Sequence, residues 1–113
     1  MPFITIDTNA KARVSQEVMV DLAQKCAEIL HKPIEVMIVK INTGVNMIFG
    51  GDETAIGALM EVKSVGYGES KAKLVAELTR FAMQEFNAEQ KYVSMHLVDM
   101  PAANVGENGV LKA

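Results

Sequence analysis

Two passages of this chain repeat the same pattern, and the repeat limits what it can fold into. Each runs from an extended apolar stretch, through a serine-led stripe of helical period, into a second apolar run. The two helix starts are Ser15 and Ser70, about 55 residues apart. In the first passage Ile4 and Ile6 face one way and Phe3, Thr5 and Asp7 the other, which predicts a strand. Thr8-Asn9-Ala10-Lys11 is a polar connection. Ser15 is placed as an N-cap, with Glu17 in the first turn. Val14, Val18, Leu22, Cys26 and Leu30 recur every four residues, with Met19 and Ile29 beside them, and form the apolar face of a helix. Pro33 marks its end, because proline disfavours helical backbone at the residue before it. Val36 to Ile41 is the second strand, closed by Asn42-Thr43-Gly44.

The second passage follows a brief extended piece, Met47-Ile48-Phe49, and a turn at Gly50-Gly51-Asp52. Ala55 to Val65 reads as a strand with Gly57 as a bulge. After Ser70, the residues Leu74, Leu78, Phe81 or Ala82, and Glu85 or Phe86 keep the helical period, with Val75 adding to the stripe, and Asn87 is a C-cap. Tyr92 to Val98 is the next strand. Asn108-Gly109 predicts a tight turn in a small terminal hairpin. Two β-α-β units, each with a right-handed crossover, give an α/β (α+β) fold: a four-stranded mixed sheet with both helices on one face. The strands read as apolar on both sides, Ala58, Met60 and Val62 against Leu59, so the uncovered face calls for self-association.

Composition narrows the function classes. A chain of 113 residues, half of them hydrophobic, fits one domain spanning residues 1–113. A net charge of −3 and a pI of about 5.3 predict no nucleic-acid or anionic-membrane partner. No apolar run approaches the roughly 20 residues that cross a bilayer, and no signal-peptide pattern leads the chain. The single cysteine fits a reducing, cytoplasmic compartment, and Cys26 lies on the helix stripe as a small core residue. The eight methionines read as adaptable core and interface filler. His31 and His96 are the only histidines, no cluster has zinc spacing, and no glycine motif cradles phosphate, so neither metal nor cofactor is expected.

The residue with distinctive chemistry is Pro2. Initiator methionine is commonly trimmed before a small residue, which would leave Pro2 with a free secondary amine at the head of a strand. An α-amino group titrates at about 7.7–8.0. Apolar burial or a nearby cation lowers that, and an amine neutral near pH 7 is a usable general base.

The order and spacing of several landmarks carry a resemblance over Met1 to about Gly109. They are Met1-Pro2, Thr8-Asn9, Lys32-Pro33, Met47 with Phe49-Gly50-Gly51, Ser64-Val65-Gly66, and Asp99-Met100 with Ala102-Ala103-Asn104-Val105-Gly106. In these the chain resembles the tautomerase superfamily, in the branch of macrophage migration inhibitory factor and D-dopachrome tautomerase. The resemblance implies a homotrimer of β-α-β-β-α-β subunits around a central channel, with active sites between subunits. It implies cofactor-free keto–enol tautomerisation of a small 2-oxo acid such as phenylpyruvate. Pro2 would be the acid/base and Lys32 the partner of the substrate carboxylate. The backbone amide of Val65, with Ser64 beside it, would hold the carbonyl end. The family's tyrosine and asparagine, which reach a neighbour's pocket, are replaced by Ser94 and His96. Its tryptophan near the C-terminus is replaced by Glu107, placed as a pocket-rim residue. A smaller aromatic rim implies that phenylpyruvate is a mediocre substrate. A Cys-x-x-Cys pair of some relatives falls on Gly57 and Met60, which implies no thiol-disulfide chemistry. The competing class is a cytokine-like or host-mimicking binding protein with a vestigial site and a receptor partner, since the family can leave cells without a signal peptide.

Overall fold

The structure, a computed structural model, describes residues 1–113. β1 (Phe3–Thr8) lies inside the sheet, parallel to β2 (Ile38–Asn42) on one side and antiparallel to β3 (Ala58–Ser64) on the other. β4 (Val93–Asp99) runs parallel to β3, so the order is β2-β1-β3-β4. α1 (Gln16–Leu30) carries the chain from β1 to β2, and α2 (Lys71–Phe86) carries it from β3 to β4. Each parallel pair is thus bridged by one helix, as the repeated pattern predicts. Alternation along the strands decides which face the helices cover. Ile4 and Ile6 of β1 and Met60 and Val62 of β3 are fully buried against Leu22 and Cys26 of α1 and Leu74 and Leu78 of α2. Each large apolar side chain so buried contributes about 1.5–3 kcal/mol. No helix is long and apolar enough to cross a membrane.

The helix ends differ in their chemistry. The Val18 N–H donates to Ser15 Oγ at 3.2 Å, so Ser15 caps α1 as expected. α1 stops two residues short of Pro33, at His31, whose φ of 55° is left-handed. There the Lys32 N–H donates to the Ala27 carbonyl at 3.0 Å and the His31 N–H to the Glu28 carbonyl at 3.3 Å, which closes the last turn. Ser70 precedes α2 but does not cap it with its side chain; its hydroxyl donates to the Tyr67 carbonyl instead. Asn87, at φ 59°, is the left-handed C-cap that the sequence predicts.

Several strand boundaries move. A 3-10 turn at Ile34–Val36 delays β2 to Ile38. β3 starts at Ala58, not Ala55, because Ala55 and Gly57 bond to side chains and the Ile56 carbonyl accepts from the Glu89 N–H at 2.9 Å, instead of joining a neighbouring strand. Thr8 Oγ1 donates to the Gly57 carbonyl at 2.7 Å, Asn9 Nδ2 donates to the Ala55 carbonyl at 2.8 Å, and the Gly57 N–H donates to Asn9 Oδ1 at 3.1 Å. Gly57 is therefore not a bulge. A side chain there would place its Cβ 2.5 Å from the Tyr92 carbonyl oxygen and 2.8 Å from the Phe49 ring. Tyr92 itself lies in a 3-10 turn, so β4 begins one residue later than expected. The terminal hairpin forms, with β5 (Gly106–Glu107) against β6 (Val110–Leu111) and positive φ at both Asn108 and Gly109.

The uncovered sheet face departs from the sequence reading. It was expected to be apolar, yet Phe3 and Leu59 share it with Thr5, Asp7, Lys40, Glu61, Lys63 and His96. Lys63 and Glu61 form an ion pair on it at 3.3 Å. The period of two puts these polar residues opposite the buried set, so only the helix-facing side is a continuous apolar surface.

Candidate active site

Pro2 is fixed by the residue that follows it into the sheet. Its carbonyl accepts from the Ile38 N–H at 3.0 Å, which extends the β1–β2 ladder by one residue. Its side chain is fully buried. The start of the chain is thereby anchored, and it opens onto a cleft of about 280 Å³ at the ends of β1 and β3. Met1, Phe3, Ser64, Val65, Met100 and Val105 are among its walls.

Lys32 approaches this region because the left-handed cap at His31 turns the chain back after α1. Its ammonium donates to Ser64 Oγ at 3.0 Å and to the Val65 carbonyl at 2.9 Å. Ser64 is buried and donates onward to the Gly66 carbonyl at 2.8 Å. An ammonium has three donors, so one remains for a ligand. The Val65 N–H has no partner within the chain. The Lys32 pKa lies below the ordinary lysine range, chiefly because the group is drawn out of water and secondly because Lys112 is near, with Glu107 opposing.

Glu107 is presented by β5. Its Oε1 accepts from the N-terminal ammonium of Met1, and its Oε2 lies 3.7 Å from Lys112 Nζ. The bond to the terminal ammonium is the main reason that its pKa is below the ordinary carboxylate value, and Lys112 adds to it. One carboxylate thus sits among three cations: the terminal amine, Lys32 and Lys112. That excess of positive charge favours an anionic ligand.

One chain therefore brings together Pro2, Lys32, Ser64, Val65 and Glu107. It does not bring Ser94 or His96 to them. Those two are on the uncovered face of β4, with Ser94 opposite Leu59 and His96 opposite Glu61, while Pro2 and Ser64 have the parity of the helix-facing side. Sequence reasoning missed Lys63 and Asn104 on the cleft wall and Lys112 beside Glu107. The signal for Lys112 was present. A two-residue turn at Asn108-Gly109 pairs Glu107 with Val110 and makes Lys112 its diagonal cross-strand neighbour. Cys26 is buried, its thiol pushed up to about 12 by loss of water, as suits a core residue. No three His, Cys, Asp or Glu side chains converge to hold a metal.

Comparison with known proteins is consistent along the whole chain. The family model described as macrophage migration inhibitory factor (MIF) matches residues 1–113. D-dopachrome decarboxylase-B of Xenopus laevis is 32% identical over 117 aligned positions, covering 98% of this chain and 97% of the relative. The macrophage migration inhibitory factor of Trichinella spiralis superposes with a TM-score of 0.88 at 27% identity, over 96% of this chain and 98% of that one. A homologue from Prochlorococcus marinus gives a TM-score of 0.91 at 24% identity, over 98% and 99%, a likeness that speaks for the fold. From the match over all its residues and from these relatives, the chain belongs to the macrophage migration inhibitory factor family.

Proposed function

We propose that the chain is a cofactor-free keto–enol tautomerase of small 2-oxo acids, with Pro2 as its acid/base once Met1 is removed. The observation that carries this reading is the convergence, on the Ser64–Val65 wall, of an anchored chain start and a lysine that has one donor left over. Lys32 binds the substrate carboxylate as a charge-assisted pair. The unprotonated ring nitrogen of Pro2 takes the proton from the carbon beside the carbonyl, and the prolinium returns it to the other end of the enolate. The free Val65 N–H supports the oxygen as it gains charge. Ser94 and His96 complete the pocket from the neighbouring copy of a homotrimer, which also covers the exposed sheet face. The name of the Xenopus relative, a D-dopachrome decarboxylase, supports activity on a small carboxylate.

The test is loss of enol absorbance from phenylpyruvate by protein whose mass shows Met1 removed. Activity is expected in the parent and a loss of at least about 100-fold in Pro2→Ala, in keeping with the worth of general acid–base catalysis. A Pro2→Ala protein as active as the parent refutes the mechanism. Glu107, standing where the family's aromatic cover is expected, favours one second reading, a binding protein with a vestigial site. That reading predicts no turnover in either protein.

A further inference from the structure

We infer that Ser64 is a positioning residue, one that aims the Lys32 ammonium at an incoming carboxylate and makes no bond to the ligand itself. The consequence for rate rests on the tautomerase reading; the aiming of the lysine does not. A lysine head is a compact charge on a flexible four-carbon stem, and its three donors turn freely, so its direction has to come from its acceptors. Here Ser64 Oγ accepts at 3.0 Å and the Val65 carbonyl at 2.9 Å. With the Cε bond and these two bonds fixed, a tetrahedral nitrogen has one N–H direction left.

The Ser64 hydroxyl is fixed in its turn. It has one proton and two lone pairs, while an ammonium only donates, so Oγ is the acceptor in the bond to Lys32. Its proton goes to the Gly66 carbonyl at 2.8 Å. The residue is 1% exposed, and its own carbonyl accepts from the Met100 N–H at 2.8 Å, which pins the end of β3. A buried hydroxyl so committed has no proton to offer a substrate oxygen. This parts Ser64 from the role that the resemblance implies, beside the Val65 amide at the carbonyl end of the substrate.

Both acceptors of Lys32 are neutral, so they orient its charge without cancelling it. Two neighbouring lysines are held differently. Lys63 is paired to Glu61 at 3.3 Å, and Lys112 lies 3.7 Å from Glu107. Those charges are partly spent on carboxylates of the chain, whereas the charge of Lys32 is aimed and left for a ligand. Without Ser64 the ammonium keeps the Val65 carbonyl and swings about that single bond.

The test is ligand-observed NMR titration of 3-phenylpropanoate, an inert carboxylate, and of its primary amide, with protein whose mass shows Met1 removed. Ser64→Ala is expected to weaken the acid about 3- to 10-fold, the worth of one hydrogen bond, and to leave the amide within about 2-fold. Ser64→Cys, close to serine in shape but a weak acceptor, gives the same selective loss. In the Lys32→Met background, Ser64→Ala changes neither ligand by more than about 2-fold, because the group it acts through is gone. With phenylpyruvate, the Ser64→Ala loss falls on KM and spares kcat. The inference is overturned by a parent that does not bind the acid, by a loss shared equally between acid and amide, or by a loss of the same size with and without Lys32. A selective, Lys32-dependent loss in protein without turnover supports it and sinks the tautomerase reading alone. Turnover that is lost in Pro2→Ala, with acid binding indifferent to Ser64, does the reverse.

Discussion

At the scale of single residues, Lys32 carries two distinct loads. It ties the end of β3 to the start of the 65–68 turn, and it supplies the cation that a carboxylate would meet. Lys32→Met separates them. The groups it leaves without a donor are a hydroxyl, which still donates to Gly66, and a carbonyl at the cleft wall that water can reach. The fold is therefore expected to survive. A hydrogen bond to a charged group contributes about 1.5–3 kcal/mol, so kcat/KM for a 2-oxo acid should fall about 10- to 100-fold, mostly through KM. The depressed Lys32 pKa adds a pH arm to the same experiment. The cation is present below that value and lost as pH rises through it, so affinity for an inert carboxylate should fall at a lower pH than an exposed lysine would give. The linkage to stability has the opposite sense. The folded state holds this proton less tightly than the unfolded chain, a cost present at neutral pH and relieved as pH climbs toward the ordinary lysine value. An affinity unchanged in Lys32→Met would remove it from the carboxylate site. Lys32 was legible in the sequence only through its likeness to relatives. A solvated lysine at a helix end would have the same local sequence, and only the distances to Ser64 and Val65 separate the two.

At the scale of elements, the sequence was read well where one period dominates and poorly where side chains replace the ladder. Both helices, the four main strands and the Asn108-Gly109 hairpin follow from alternation, helical stripes and turn residues alone. The start of β3 did not, because Thr8, Asn9 and the Glu89 N–H supply the hydrogen bonds that a strand at 55–57 would have made. Gly57 is the residue that allows this clasp to close against Tyr92 and Phe49. Gly57→Ala must push a backbone carbonyl that would be only 2.5 Å from the new carbon, and it is expected to cost about 1–3 kcal/mol. Gly106→Ala is the control, since its Cβ would meet nothing nearer than 3.9 Å. That change should stay within about 0.5 kcal/mol. Urea denaturation at matched protein concentration measures both, and equal effects would show that the close approach at Gly57 is easily relaxed.

At the scale of the whole molecule, the placement of Ser94 and His96 poses a question of assembly. The period of two holds them on the sheet face away from Pro2, and no side-chain rotation carries them through the sheet. If they belong to the site, they reach it from another copy, across the face that mixes Phe3 and Leu59 with Lys40, Glu61 and Lys63. This mixture also explains why self-association could not be sized from sequence. Charges that look like a solvated face in one chain serve equally well as partners in an interface. Complementation decides between these. In a cyclic trimer each site would take Pro2 from one copy and His96 from the next. Pro2→Ala and His96→Ala proteins, each impaired alone, should regain activity when unfolded together and refolded as an equal mixture. In any mixed ring one interface in three joins the intact Pro2 of one copy to the intact His96 of its neighbour, so about a quarter of all sites should be whole. If both residues acted within one chain, every site in the mixture would keep one defect and no activity would return. Sedimentation of the same mixture fixes the number of copies. A monomer near 12.3 kDa, or His96→Ala as active as the parent, would exclude the shared pocket.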